Sequence, residues 1–133
     1  MDYDVFDDWN IIKKDVHSSD KNKSLFFNEK EVWWVTIGIN IGLEIYGKGS
    51  SFTRPVLILK KLSNDLAIVI PVTTKNKKGT WFVTVYFQKK YSTVLLYQIK
   101  IMDKKRFQHK IGNLDQQDYL KVKEKLKLLL EFF

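Results

Sequence analysis

Hydrophobic and polar positions divide the chain into three stretches with different periods. In residues 4–14, Val5, Phe6, Trp9 and Ile12 recur at helical spacing, with aspartates in front and Lys13 and Lys14 behind. That order suits the helix dipole, and the pattern predicts a short amphipathic helix. It either packs back on the rest of the chain or hangs from it as an arm. Residues 15–24 (DVHSSDKNKS) are polar and without period, so they read as a linker.

From Glu31 to about Asp103 the period becomes that of strands. Val32–Ile37 (VWWVTI) is β-branched and aromatic and stops at Gly38. Residues 38–53 hold four glycines among polar residues and predict a long loop. Pro55–Leu59 and Leu66–Ile70 are unbroken apolar runs split by Ser63-Asn64-Asp65, which reads as a hairpin. Trp81–Phe87 follows the polar loop Lys75–Gly79, and Ser92–Ile101 supplies one or two more strands. Short strands with frequent turns predict a mostly β fold, a small antiparallel barrel or a tightly coiled sheet, with flanking helices.

The tail returns to helical spacing. Asp115 and Asp118 are placed as a capping box, with Asn113 as a second candidate cap. Tyr119, Val122, Leu126, Leu129 and Phe133 then form one apolar stripe, while Lys121, Lys123, Lys125 and Lys127 cover other faces. The stripe is expected to pack on the sheet.

Composition bounds the function. A chain of 133 residues with 44% hydrophobic content fits one globular domain. The absence of cysteine removes disulfides, thiolate zinc sites and cysteine nucleophiles, and fits a reducing cytoplasm. No apolar run is long enough to span a membrane, and the acidic start does not suit a signal peptide. The net charge is +8, unevenly spread. Residues 1–31 carry eight acids against five lysines, whereas residues 75–127 carry fourteen basic residues against four acids. A basic body attracts RNA, DNA or an acidic protein segment, although a solvated lysine surface accounts for it equally well. Only Arg54 and Arg106 break the run of lysines.

Several chemistries can be set aside. Gly42–Lys48 matches the opening of a phosphate-binding loop, but Gly49 stands where Ser or Thr must hold magnesium, and no helical pattern follows. His17 and His109 are isolated, and between residues 32 and 102 the only acids are Glu44 and Asp65. Clustered carboxylates for a metal-dependent nuclease are missing, as is the G-x-S-x-G elbow of a serine hydrolase. No metal or cofactor is expected. What remains is Glu44 in the glycine-rich loop, Arg54 before the PVLIL strand, and Thr73 and Thr74 ending the next strand. Pairing across the Ser63–Asp65 turn brings Arg54 and Thr73 to the same end. A carboxylate, a guanidinium and a hydroxyl suit metal-free RNA cleavage. An ion pair of Glu44 with Arg54 that pins the loop is the plainer alternative.

The segments EVWWV (31–35), GINIGLE (38–44), RPVLIL (54–59), IPVTTK (70–75), LLYQIK (95–100), IMDKKR (101–106) and IGNLD (111–115) occur in an order that resembles the MazF/PemK (Kid) toxin family. The resemblance spans roughly residues 30–130, leaving residues 1–29 as an N-terminal helix and linker ahead of a toxin-like domain at 30–133. It implies an SH3-like barrel, a homodimer and sequence-selective cleavage of single-stranded RNA without metal. It also implies neutralisation by a cognate antitoxin, and operator DNA bound only together with that antitoxin. By the same resemblance Arg54 and Thr73 are the catalytic pair and Glu44 the third member, either as base or as orienting residue. Thr74, Lys75, Lys77, Lys78, Gln98 and Lys100 are expected to bind RNA, with Trp81 as a possible stacking face. The sequence departs from the family at Ile45, where glutamine is usual, and in its longer loop up to Arg54. It departs again at Lys100, which keeps the charge of the usual arginine but not its bidentate fork. A gyrase poison on the same fold, like CcdB, and a silent nucleic-acid or antitoxin-binding module are the competing classes.

Overall fold

Residues rich in valine, isoleucine and aromatics favour a pleated surface buried on both sides, and such segments make up the curled sheet of the described residues. The structure is a computed structural model that describes residues 25–37 and 53–131. The strands are β1 (Glu31–Thr36), β2 (Thr53–Lys61), β3 (Leu66–Thr73), β4 (Phe82–Phe87), β5 (Lys90–Leu95), β6 (Lys100–Asp103) and β7 (Phe107–Asn113), followed by helix α1 (Gln116–Leu130). Their order is β4-β5-β3-β2-β1-β7, with β6 also beside β3, and every pairing is antiparallel. The predicted hairpin joins β2 to β3, where the Ser63 hydroxyl accepts from the amides of Asp65 and Leu66, both at 3.1 Å. Strand β3 divides its second edge: Leu66–Val69 pair with β6, and Val72 and Thr73 pair with β5. The predicted N-terminal helix, the linker, Glu44 and Phe133 lie outside the described residues.

The pleat sends alternate side chains to opposite faces, giving two cores. On one face Val32, Leu57, Ile70, Val72 and Val83 pack against Tyr119, Val122 and Leu126 of α1, the predicted stripe. On the other, Val35, Val56, Ile58 and Val69 pack with Phe27, Trp33 and Phe107. Each large side chain so buried contributes about 1.5–3 kcal/mol, so these two layers hold the sheet.

Register irregularities curl it. Between Val32↔Gly112 and Val35↔Phe107, β7 gains an extra residue twice, at Ile111 and at Gln108. Strand β2 gains one at Leu59, whose carbonyl accepts from the Tyr119 hydroxyl at 2.6 Å. Bulges sharpen the twist, and here they bring the β4–β5 turn round to β7. The Gln88 side-chain amide donates to the Ile111 carbonyl at 2.9 Å. The ends thus meet through a side chain, and among the described residues no ladder closes β4 onto β7, so the expected barrel is an open, coiled sheet.

The expected capping box is absent. Asp115 is the helix N-cap but its side chain makes no capping bond. The Asp118 carboxylate instead accepts from the Tyr86 amide on β4 at 2.9 Å and pairs with Lys121 at 3.5 Å. Lys125 donates to the Phe82 carbonyl at 3.1 Å. The helix therefore covers the outer edge of β4, an edge that would otherwise offer unpaired backbone groups.

Candidate active site

The β2–β3 register pairs Val56 with Pro71, and carried two residues further it sets Arg54 opposite Thr73. On the far sides, Arg54 pairs with Val35 of β1 and Thr73 with Thr93 of β5. The sheet thus brings the two predicted residues to one end and one face, as the hairpin reading expects.

Arg54 is only 6% exposed, at the end of the core layer that holds Val35 and Val56. Its Nε is buried with no hydrogen-bond partner among the described residues. Burial pushes its pKa down from the usual arginine range, because a charge is disfavoured away from water. An unanswered donor on a buried cation is destabilising, and surrounding packing has to hold it in place. The chain's other arginine is answered: Arg106 donates through Nη1 to the carbonyls of Thr36 and Ile37, each at 3.3 Å, and fastens the end of β1.

Thr73 is buried, and its hydroxyl oxygen accepts from the Lys75 amide at 3.2 Å. That bond uses a lone pair and leaves the hydroxyl hydrogen to donate elsewhere. Thr93 donates to the Lys75 carbonyl at 2.9 Å and accepts from the Lys77 amide at 3.4 Å. Two threonines on adjacent strands therefore root the loop that carries Lys75, Lys77 and Lys78, all three exposed. Thr74, also exposed, is the first residue beyond β3. Trp81, just before β4, is 40% exposed, so its ring is accessible rather than part of a core.

Gln98 and Lys100 lie elsewhere on β3's edge. Gln98 is buried in the one-turn helix Leu96–Gln98, and half-buried Lys100 pairs with Val69. Four residues of strand, about 13 Å, separate Val69 from Thr73.

The sequence reading missed a cleft of about 500 Å³ at the same end of the strands. A register row runs across the other face from His109 through Trp34 to Pro55, reaching Val72 by continuation, and all four line the cleft. Its far wall is the Phe87–Lys90 turn, and Thr73 and Thr74 border it. Trp34 reads in the sequence as one more strand aromatic and His109 as a lone surface histidine. Only the bulged β1–β7 register makes them neighbours.

A curled antiparallel sheet with a C-terminal helix and a buried arginine opposite a threonine narrows the class, and comparison with known proteins narrows it further. The model of the PemK-like, MazF-like toxins of type II toxin-antitoxin systems matches residues 28–130, and the chain belongs to that family. Among solved structures it is similar to MazF (Form-I) from Deinococcus radiodurans, with 20% identity and a TM-score of 0.66 over 81% of this chain and 99% of that one. It is similar too to the MazE-MazF structure (Form-II) from the same organism, at 18% identity and a TM-score of 0.61 over 80% of this chain and 97% of that one. At these identities the likeness is one of fold. No curated protein matches the chain. Among the described residues no helix is long and apolar enough to cross a membrane.

Proposed function

We propose that this toxin is an endoribonuclease that cuts single-stranded mRNA without a metal ion. The observation that carries the reading is the buried Arg54 guanidinium, its Nε unanswered, set by register opposite Thr73. A phosphate oxygen supplies the missing acceptor, and an anion held by a desolvated cation is held strongly.

In this reading the ribose 2′-oxygen attacks the adjacent phosphorus as its proton is removed. The phosphorane charge is met by Arg54 and by the Thr73 hydroxyl. The P–O5′ bond breaks, the 5′-oxygen takes a proton, and the products carry a 2′,3′-cyclic phosphate and a 5′-hydroxyl. The lowered pKa of Arg54 moves in the direction a proton donor needs. Glu44 either takes the 2′-hydroxyl proton or orients Arg54. Thr74 and Lys75, Lys77 and Lys78 run along the RNA backbone, Gln98 and Lys100 contact it further along β3, and Trp81 offers a stacking surface.

The protein works as a cytoplasmic homodimer, is neutralised by a cognate antitoxin, and binds operator DNA only with that antitoxin. Similarity to a MazF fold solved together with MazE supports the antitoxin part of this reading. Product ends test the chemistry. Fragments from a defined RNA should accept a labelled phosphate from polynucleotide kinase without prior phosphatase treatment. Fragments that need phosphatase first would carry 5′-phosphates and overturn the proposed route.

A further inference from the structure

We propose that the cleft floored by Trp34 and Pro55 holds one base of the RNA strand near the cut and sets the sequence preference there. The inference rests on the nuclease reading above and adds a specificity site to it. Three observations converge on it.

The first is shape. The row His109–Trp34–Pro55 gives a floor with an indole, a flat aromatic face on which a base stacks, beside the apolar proline ring. The volume, about 500 Å³, falls within the ordinary range for small-ligand sites.

The second is the rim. Gln88, Lys90, Ser92 and His109, with Thr73 and Thr74, supply polar groups around an apolar floor. Amide, hydroxyl and imidazole groups can read a base edge, and the Lys90 ammonium suits the attached phosphate. The turn that delivers Gln88 and Lys90 is strained: Gln88 and Lys89 have φ of 51° and 65°, left-handed positions usually given to Asn and Gly in such hairpins. The Gln88 side chain fastens that turn to the Ile111 carbonyl, so the strained tip is held over the cleft mouth. Backbone strain of this kind persists where the surrounding structure over-determines it, commonly at ligand clamps.

The third is continuity. Val72, Thr73 and Thr74 all line the cleft, and the exposed lysines 75, 77 and 78 follow directly in the chain. A strand that places a phosphate at Arg54 and Thr73 on one face runs past the cleft mouth at the strand ends. A polyanion with planar bases fits that path in both charge and shape.

The test combines binding with cut-site mapping on the full chain. Anisotropy with four labelled single-stranded RNA hexamers, differing in one base, is read in an Arg54→Ala background that does not cleave. Cut sites are mapped for the wild type, His109→Ala and Trp34→Leu on a long RNA. Both substitutions should weaken the preferred hexamer about tenfold and flatten base preference at one position near the cut, with product ends unchanged. Should Trp34→Leu not fold, the exposed His109→Ala decides. Cleavage with an unaltered preference in His109→Ala would overturn the cleft assignment and leave the nuclease standing. Base-selective binding by a wild type that never cuts would do the reverse. Failure of the wild type to bind any of the RNAs would remove both.

Discussion

The surroundings of individual charged residues decide what they can do. Arg106 spends its donors on the carbonyls of Thr36 and Ile37, whereas Arg54 sits in a core layer with Nε unanswered. On the proposed function Arg54 is kept for an incoming anion, and a buried cation with an unanswered donor lowers stability until that anion arrives. Replacing Arg54 with a neutral side chain of similar length should therefore help the fold and harm the reaction. Arg54→Met is expected to raise unfolding stability by about 1–2 kcal/mol in urea titration and to lower cleavage a hundredfold or more. A less stable variant would mean that the guanidinium is structural. Glu31 is the converse case. In the sequence it counts as one more acid of an acidic N-terminal stretch. In the structure its Oε1 accepts from the Asn28 amide at 2.8 Å and the Trp33 indole at 2.9 Å, and Lys110 lies 3.3 Å from Oε2. Burial alone would raise its pKa, but the Trp33, Asn28 and Lys110 contacts outweigh burial and hold it below the usual 4.5. A depressed carboxylate stabilises the fold fully above the usual value, and that contribution is lost as pH falls through the depressed one. Glu31→Gln should cost about 1–2 kcal/mol at pH 7, and the difference should close as the buffer is taken well below pH 4. A gap independent of pH would contradict this.

Among the elements, those with an unbroken period were legible in the sequence and those shaped by register were not. The β2–β3 hairpin and the α1 stripe follow directly from apolar runs and helical spacing. Strand β7 escaped because its two bulges break the alternation of FQHKIGN, so no period of two survives. The capping box failed for a related reason. Asp118 has the right spacing, but a neighbouring strand edge competes for its carboxylate, and the competitor is visible only once β4 is in place. That contact is a helix-to-sheet staple, and Asp118→Ala should cost about 1 kcal/mol and speed hydrogen exchange at the Tyr86 amide. Unchanged exchange at Tyr86 would show that packing alone holds α1. For the candidate site, Arg54 and Thr73 were legible because a hairpin places them from its turn outward. The cleft was not, since it needs β1, β2 and β7 in their bulged register.

In the whole molecule, an open, coiled sheet with an arginine–threonine pair and a cleft at one end of its strands carries a strongly basic second half. Family membership fixes the class as a type II toxin, and the unanswered Nε of Arg54 supplies the chemical reason to propose a nuclease. The most direct test is a gel assay on a long single-stranded RNA in excess EDTA, comparing wild type, Arg54→Ala and Thr73→Ala. The account predicts discrete fragments from the wild type and intact RNA from both variants. Intact RNA in every lane, or the same fragments from all three proteins, would contradict it.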